Sequence, residues 1–437
     1  MRRPKDKHPD PPELPNFTIE ADQEPSGPVQ RHEGTGLVRH DAALEESLLD
    51  ADAARVVRRL ERAGFEAYLV GGCVRDLLLQ RRPKDFDIAT SARPDDVRSL
   101  FRNCRVIGRR FRLAHVLFGG GKVIEVATFR RRPQEAEEEL DPAEDLLIRN
   151  DNAFGDAHED AVRRDFTINA LFYDLERRQV LDWCGGMEHI RGRVLRTIGD
   201  PTVRFREDPI RLLRAIKFAA RLDVGIYPDV YESMMDNRGE LARAAKPRIF
   251  EEISRLMRGG ASHRSMWLLW ETGAMAILLP ELAAFLDDDE GTAGAGERFY
   301  RRMRGLDEVT RERGALDDVT LWSALLAEPL AECVQGARDM GVAAHEFLEP
   351  LVERIAMPRR IADGVRRILA ILPRLAQGRL GRFARTELVL PALDVLELEL
   401  YTQGRSREMV RSMRLEASSA PPPPPLHRPA ARRSRRG

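Results

Sequence analysis

Two carboxylates placed two residues apart, Asp85 and Asp87, are the residues of this chain most suited to chemistry. They stand in the run KDFDIAT, which we interpret as a strand. Strand side chains two apart share a face, so both carboxylates are predicted to lie side by side while Phe86 and Ile88 enter the core. Adjacent carboxylates repel each other unless a cation lies between them, and Mg²⁺ binds carboxylate oxygens together with substrate phosphates. The pair therefore predicts a divalent-cation site.

A glycine pair precedes these carboxylates and could hold the phosphates. Gly71 and Gly72 follow an apolar run, Tyr68 to Val70, that predicts a buried strand, and they precede a short helical pattern. Neither residue has a Cβ, so a ligand can approach the backbone, whose N–H groups can hold a triphosphate. A glycine pair alone is usually a turn, and Asp-x-Asp alone is common on surfaces, but the ordered set is far more specific.

A third carboxylate, Glu125, lies in the second strand of a predicted hairpin, after the turn GGG. By period two it shares a face with Val123 and Ala127. It is either an edge residue of the sheet or the third carboxylate that two-metal phosphoryl transfer requires. The residues alone leave both interpretations open.

Further along, helical patterns dominate. Asp156-x-x-Glu159 predicts the start of a helix through HEDAVRRDFTINALFYD, and the runs QVLDWCGG and RGRVLRTIGD predict a hairpin. From Pro201 to about residue 415 the period is helical, with no further strand expected. In FREDPIRLLRAIKFAARL, the side chains of Asp208, Arg211 and Arg214 are three apart and are predicted to line one helix face. Such a face could select a base by its Watson–Crick edge, or it could be an ordinary salt-bridged surface.

The ordered motifs resemble the class II nucleotidyltransferases of the polymerase-β-like superfamily, which includes tRNA CCA-adding enzymes and bacterial poly(A) polymerases. The resemblance is carried by GGCVRD with DFD, by RRDFTINAL and by REDPIRLLRA, and it covers roughly residues 60–260. It implies an α+β fold, in which a nucleotidyltransferase head with a small mixed sheet is followed by an all-α neck and body.

The resemblance also assigns roles and domains. Asp85, Asp87 and Glu125 would bind two Mg²⁺ ions, with Mn²⁺ as an alternative, and Asp165 would be catalytic; whether Glu125 or Asp165 is the third metal ligand stays open. The predicted nucleotide-binding residues are Gly71, Gly72, Arg75, Arg164, Glu207, Asp208, Arg211 and Arg214. The predicted domains are a disordered N-terminal tail (1–40), a head (41–172) whose first helix begins near Asp41, a neck with the base-selecting helix (173–260), an RNA-binding helical body (261–415) and a disordered tail (416–437).

Three functions are compatible with this pattern. The stretch GRRF-x-L-A-H-V, from Gly108 to Val116, is similar to the signature of the poly(A) polymerase branch, and so is the Arg-rich C-terminal tail, which could bind RNA. The resemblance therefore favours addition of AMP from ATP to RNA 3′ ends over tRNA CCA addition. An RNA-binding protein with a dead transferase head is disfavoured because the set of charged site residues is complete.

Composition limits the remaining possibilities. Lys plus Arg and Asp plus Glu both total 71 among 437 residues, so any RNA-binding surface must be a local one. Four cysteines without C-x-x-C spacing suit a reducing compartment and argue against structural zinc. No signal peptide or membrane span is expected from the sequence. We therefore predict a soluble cytoplasmic protein, active as a monomer.

Overall fold

The computed structural model describes residues 29–31, 36–108, 112–131, 153–287 and 294–419. These residues belong to two compact units. The sheet unit is Pro12–Ala244 with Thr272–Ala274, and the helical unit is Ala245–Glu271 with Met275–Gly437. Within the described ranges, no helix has the length and apolar character that a membrane crossing requires. The predicted neck, residues 173–260, is divided between the two units, and the domain limits given above stay a prediction.

The sheet unit is built around one mixed sheet. In the described residues it has nine strands, in the order β1-β2-β9-β8-β3-β4-β7-β6-β5. Neighbours are antiparallel except β4 and β7, which are parallel. The strands are β1 Val29–Arg31, β2 Val38–Asp41, β3 Ala67–Val70, β4 Asp87–Thr90, β5 Cys104–Ile107, β6 Leu113–Leu117, β7 Val123–Thr128, β8 Phe172–Asp174 and β9 Gln179–Asp182, with a separate parallel pair, β10 Val194–Leu195 and β11 Gly225–Ile226.

Most of the other regular elements of the described chain are helices, which confirms the α+β class. Those up to residue 244 are α1 Ala51–Arg62, α2 Gly72–Leu78, α3 Pro94–Leu100, α4 Ala157–Val162, α5 Gly186–Arg191, α6 Pro201–Glu207, α7 Ile210–Leu222 and α8 Pro228–Asn237. Those after it are α9 Lys246–Arg258, α10 Ser262–Glu271, α11 Ala274–Leu278, α12 Pro280–Asp287, α13 Ala295–Arg313, α14 Asp318–Val334, α15 Met340–Ile355, α16 Arg359–Leu375, α17 Val389–Thr402 and α18 Glu408–Ser419.

Both faces of the sheet are buried at its central strands β3 and β4. Leu69 and Ile88 pack on one face with Val57 and Leu60 of α1, whereas their strand neighbours Val70 and Ala89 enter a second cluster on the other face. Period-two alternation of the strands thus supplies two apolar cores from β3 and β4. These cores hold the strand that begins at Asp87 rigidly in place.

The N-terminal part of the sheet unit corrects two predictions. Residues 1–40 were expected to be disordered, but β1 and β2 lie in this segment and β2 pairs with β9. The first helix was expected from about Asp41 and begins ten residues later, at Ala51. The side chain of Asp50 caps it by accepting hydrogen bonds from the backbone N–H groups of Asp52 and Ala53.

The helix predicted through residues 158–174 is also wrong beyond its first turns. The capping box of Asp156 and Glu159 is present, but α4 ends at Val162 and Phe172 begins strand β8. Arg204 donates hydrogen bonds to the backbone carbonyls of Arg163 and Arg164. Those carbonyls are therefore engaged by a side chain where a continuing helix would need them for its own N–H groups.

Two smaller predictions are wrong because strand partners are distant in sequence, and a third places the end of a helix too early. The runs around β9 and β10 do not pair with each other, because β9 pairs with β2 and β8, and β10 with β11. Strand β11 lies in the stretch expected to be wholly helical. Helix α18 extends to Ser419, into the predicted tail, while residues 420–437 lie outside the described residues.

The core of the helical unit includes Trp322. This residue is fully buried on α14. Its ring stacks on that of Phe250 at a centroid distance of 5.2 Å, and its Nε1 donates to Ser254 Oγ at 3.0 Å. Because both partners lie on α9, this side chain joins α9 to α14.

We expect Trp322→Ala to lower the free energy of unfolding of the helical unit by about 3–5 kcal/mol, since it opens a large cavity. The matched variant Ser254→Ala keeps the ring but removes the hydrogen bond from the indole, together with the one that Ser254 Oγ donates to the Phe250 carbonyl, and should cost about 1–3 kcal/mol. Urea denaturation followed by circular dichroism measures both. Equal losses in the two variants would contradict the packing role of the ring.

Candidate nucleotidyltransferase site

The predicted carboxylate pair lies at the start of β4. Asp87 is the first residue of the strand and Asp85 lies in the preceding turn, so only one of them is a strand residue. Phe86 and Ile88 are buried as predicted, and both carboxylates face solvent. The parallel register places Asp87 directly opposite Glu125 of β7.

Electrostatic repulsion marks this group of carboxylates. The pKa of Asp87 is raised to about 6, first because protein atoms desolvate the carboxylate, then because Glu125 and Asp85 repel its negative charge. Arg164 opposes the shift. Although Asp87 is accessible from solvent, protein atoms surround it closely enough for desolvation to dominate. A bound cation would relieve the repulsion, so the site fits a metal ion.

The described residues do not by themselves supply a complete set of metal ligands. In the ranges that the structure describes, no group of three or more His, Cys, Asp or Glu residues could hold a metal ion. Mg²⁺ does not need such a cage, because it is commonly held by one or two carboxylates plus substrate phosphates and water. The chemistry of Asp85, Asp87 and Glu125 is therefore compatible with Mg²⁺ that arrives together with a nucleotide triphosphate.

His115 is a neighbour of this site that the sequence did not single out individually. It lies on β6 directly opposite Glu125, with its Nε2 3.5 Å from Glu125 Oε1. It belongs to the stretch GRRF-x-L-A-H-V, whose residues 109–111 lie outside the described residues. The part of that stretch in β6 therefore borders the carboxylates.

The glycine loop leads from β3 into α2. Gly71 has φ +71°, and a Cβ on it would lie 2.8 Å from Nη1 of Arg164, whereas a Cβ on Gly72 would meet nothing closer than 3.6 Å. Arg164 also donates to the carbonyl of Asn169 and pairs with Asp160. Its guanidinium is thus held against the loop, within the electrostatic range of Asp87.

Arg75, expected to contact phosphate, is instead buried, with 3% of its surface exposed. Its Nε and Nη2 donate to Asp76 Oδ1 at 2.9 and 2.6 Å, and its Nη1 donates to Asn169 Oδ1 at 2.6 Å. The guanidinium is therefore occupied by protein groups beneath the loop.

Asp165 is held equally firmly. One oxygen accepts from Arg214 Nε at 2.6 Å, and the other accepts from the backbone N–H of Phe166 at 2.9 Å and from Asn169 Nδ2 at 3.1 Å. Burial alone would raise the pKa of Asp165, but Arg214 and these hydrogen bonds outweigh it and hold the pKa at about 2. Both of its oxygens are occupied by protein donors, unlike those of Glu125, which is half exposed.

The base-selecting residues do not share one helix face as predicted. Glu207 ends α6, Asp208 lies between the helices, and Arg211 and Arg214 lie on α7. The break follows from Pro209, which disfavours the helical conformation in the residue before it. Arg211 is buried, and its Nη1 donates to Glu207 Oε2 at 2.6 Å and to the carbonyl of Arg204.

Three polar residues that hold the site were not singled out by sequence reasoning. Asn169 bridges Arg75 and Asp165, Asp76 neutralises Arg75, and Asp160 pairs with Arg163 and Arg164. Of the three, only the role of Asp160 could have been predicted from spacing, because Arg163 and Arg164 lie three and four residues after it on a predicted helix. The bridge made by Asn169 could not be inferred locally, because Arg75 lies 94 residues away even though Asp165 is only four residues away.

The geometry defines a nucleotidyltransferase: opposed carboxylates on neighbouring strands beside a glycine loop with an arginine against it. Residues 67–196 match the family described as "Poly A polymerase head domain", and residues 223–286 match "Probable RNA and SrmB- binding site of polymerase A". The fold is similar to that of the CCA-adding enzyme of Bacillus stearothermophilus in complex with CTP, with a TM-score of 0.61 and 28% identity, over 84% of this chain and 82% of that one.

Two relatives fix the family. Poly(A) polymerase I of Salmonella typhimurium is 36% identical over 395 residues, which are 86% of this chain and 84% of the relative. The CCA-adding enzyme of a Geobacillus species is 37% identical over 313 residues, 72% of this chain and 70% of the relative. The chain therefore belongs to the family of bacterial poly(A) polymerase I and CCA-adding enzymes, as the sequence motifs predicted.

We expect Gly71→Ala to be far more damaging to nucleotide binding than Gly72→Ala. An alanine at position 71 would be strained by its positive φ and would collide with Arg164, whereas position 72 has room. The KM for ATP and the unfolding midpoint of both variants provide the comparison. Similar KM values in the two would show that the loop tolerates movement of Arg164.

The lowered pKa of Asp165 makes a prediction about stability. Its folded pKa of about 2 lies below the ordinary value of 3.8, so its contribution is present above pH 3.8 and is lost as the pH falls towards 2. Asp165→Asn should therefore lower the free energy of unfolding by roughly 2 kcal/mol at neutral pH. The difference from the parent protein should shrink as the pH falls below about 4. Urea denaturation at a series of pH values measures it, and a difference independent of pH would contradict the ionic role.

Proposed function

We propose that this protein is a template-independent polynucleotide adenylyltransferase that adds AMP from ATP to RNA 3′ ends, in RNA decay and quality control. One observation carries the choice within the family. In sequence, the match to the poly(A) polymerase I of Salmonella typhimurium extends over 86% of the chain, while the match to the CCA-adding enzyme of the Geobacillus species spans 72%. The opposed carboxylates and the glycine loop supply the chemistry that this reaction needs.

The reaction is an in-line displacement at the α-phosphorus of ATP. The RNA 3′ hydroxyl gives up its proton to water and its oxygen forms the new bond to the α-phosphorus. The bond between the α-phosphorus and the oxygen that bridges it to the β-phosphorus breaks, and pyrophosphate leaves. Asp85, Asp87 and Glu125 would hold two Mg²⁺ ions, or Mn²⁺, which lower the pKa of the 3′ hydroxyl and offset the charge on the pyrophosphate. We assign the third ligand to Glu125, because both oxygens of Asp165 already accept hydrogen bonds from protein.

Arg164 and the loop at Gly71 and Gly72 would bind the triphosphate. The Arg164 guanidinium lies beside Gly71, so its positive charge and its N–H donors are next to the backbone N–H groups of the loop. Arg75, which we predicted to bind the nucleotide directly, would act from beneath by joining α2 to Asn169, with Asp76 balancing its charge. We therefore propose it as a positioning residue.

Glu207, Asp208, Arg211 and Arg214 would form the adenine-selecting part of the site. Arg211 is fixed by Glu207 and a backbone carbonyl, which gives its guanidinium one orientation. A planar guanidinium with a fixed orientation can discriminate between base edges. Arg214 would be oriented by its bond to Asp165.

The test uses purified protein with Mg²⁺ and two labelled RNAs, a generic oligonucleotide and a tRNA that lacks its CCA end. Each RNA receives ATP alone or CTP with ATP. Long A tails on the generic RNA would support the proposal. Addition that stops after CCA on the tRNA would identify the alternative, a CCA-adding enzyme, and addition to neither RNA would favour the dead-transferase hypothesis.

Asp85→Ala and Asp87→Ala should each abolish AMP transfer while binding of RNA survives, because the carboxylates serve the metal and not the RNA chain. Incorporation of labelled ATP and RNA binding without nucleotide measure the two effects separately. Glu66→Gln, which removes one exposed carboxylate before β3, serves as the control and should retain transfer. Near-normal transfer by either alanine variant would overturn the metal assignment.

We extend the proposal to a cytoplasmic monomer. The predicted RNA-binding role of the basic tail concerns residues outside the described part of the chain.

A further inference from the structure

Helix α16 of the helical unit carries a row of arginines on one side. At about 100° per residue, its five arginines fall within a sector of about 120°. All five are exposed: Arg359, Arg360, Arg366, Arg367 and Arg374. The opposite side is buried through Ile361, Val365, Ile368 and Leu375. The helix therefore separates an apolar face from a cationic one, which we name the α16 arginine surface.

Few carboxylates neutralise this surface. Asp363 pairs with Arg366 at 2.6 Å and lies 3.7 Å from Arg367, and Glu349 pairs with Arg359 at 3.2 Å. Arg360 and Arg374 form no ion pair within the described ranges. Residues 359–385 contain eight arginines against one aspartate and no other charged residue, a net charge of +7 in a chain whose net charge is zero.

Other arginines of the helical unit are paired with carboxylates. On α13, Arg298 and Arg302 pair with Glu328, and Arg313 pairs with Asp394 and Glu397. Local pairing is thus common on other helices of this unit, and its weakness on α16 leaves positive charge available for an external anion. An ordinary solvated face with five arginines would carry several acidic residues three or four positions away, whereas α16 has only Asp363 at that spacing.

We propose that the α16 arginine surface binds the phosphate backbone of the RNA that the enzyme extends. Arg360, Arg367 and Arg374 recur every seven residues and line one edge of the surface, about 10 Å apart, so they can follow a chain of phosphates. Arginines that contact phosphates release counterions without selecting a sequence. This inference rests on the proposed function, because it takes a growing RNA as the ligand in preference to an acidic protein.

The experiment compares two triple variants that remove the same charge. R360Q/R367Q/R374Q neutralises one edge of the surface, and R55Q/R58Q/R62Q neutralises three exposed arginines on α1 of the sheet unit. Binding of a labelled oligoadenylate long enough to span α16 is measured without ATP over a series of salt concentrations. Addition of one AMP to a short primer at saturating concentration is measured separately. Circular dichroism confirms that both variants are folded.

The surface variant should bind oligoadenylate at least about ten-fold more weakly at low salt, with the salt-dependence slope reduced by about 2. The control variant should bind like the parent, and both should add one AMP at the parental rate. R360K/R367K/R374K should restore most of the affinity, because lysine retains the charge. Equal binding by the surface and control variants would overturn the inference. So would a lysine variant that binds oligoadenylate no more tightly than R360Q/R367Q/R374Q. Failure of the parent to add AMP would instead reject the proposed function and leave the binding result standing.

Discussion

A chain of buried and half-buried polar groups holds the candidate site together. Arg75 on α2, Asn169 in the turn before β8, Asp165 and Arg214 on α7 are linked by successive hydrogen bonds, and each charged member has an opposite partner. Removing one member would leave a neighbouring charge buried without its partner, which costs more than the bond itself contributes. The relative positions of the glycine loop and the base-selecting helix therefore depend on this chain.

The carboxylates at the strand ends show the opposite arrangement. Asp87 faces Glu125 across a parallel register, and this repulsion together with desolvation raises the pKa of Asp87 to about 6. Nothing in the described surroundings neutralises the pair completely, although Arg164 lowers the cost. The residues that position the site thus have hydrogen-bond and charge partners within the protein. The carboxylates that would bind a cation instead repel one another. This contrast separates Asp165 from Glu125 better than their spacing in sequence does.

Sequence patterns correctly predicted the features that depend on residues close together in the chain. The alternation around Phe86 and Ile88 placed both in the core, and the capping box at Asp156 marked a helix start. Long-range contacts decided the failures: the guanidinium of Arg204 ends a helix about forty residues away along the chain, and β9 pairs with β2. The burial of Arg75 could not be predicted either, because Asn169 lies 94 residues away. Among these failures, only the separation of Asp208 from α7 could have been predicted from a neighbouring residue, because Pro209 follows Asp208 directly.

Charge is distributed unevenly in a chain whose total is zero. In the sheet unit, Arg75 is paired in the interior and the half-buried Arg214 is paired with Asp165, so that both guanidiniums fix geometry where solvation is reduced. On α16 the arginines remain at the surface with few partners, where screening by salt weakens each of them individually. A polyanion restores their collective strength, because it presents many charges at once and releases condensed counterions. Zero net charge is therefore no argument against a nucleic-acid ligand; where the carboxylates lie matters more than how many there are.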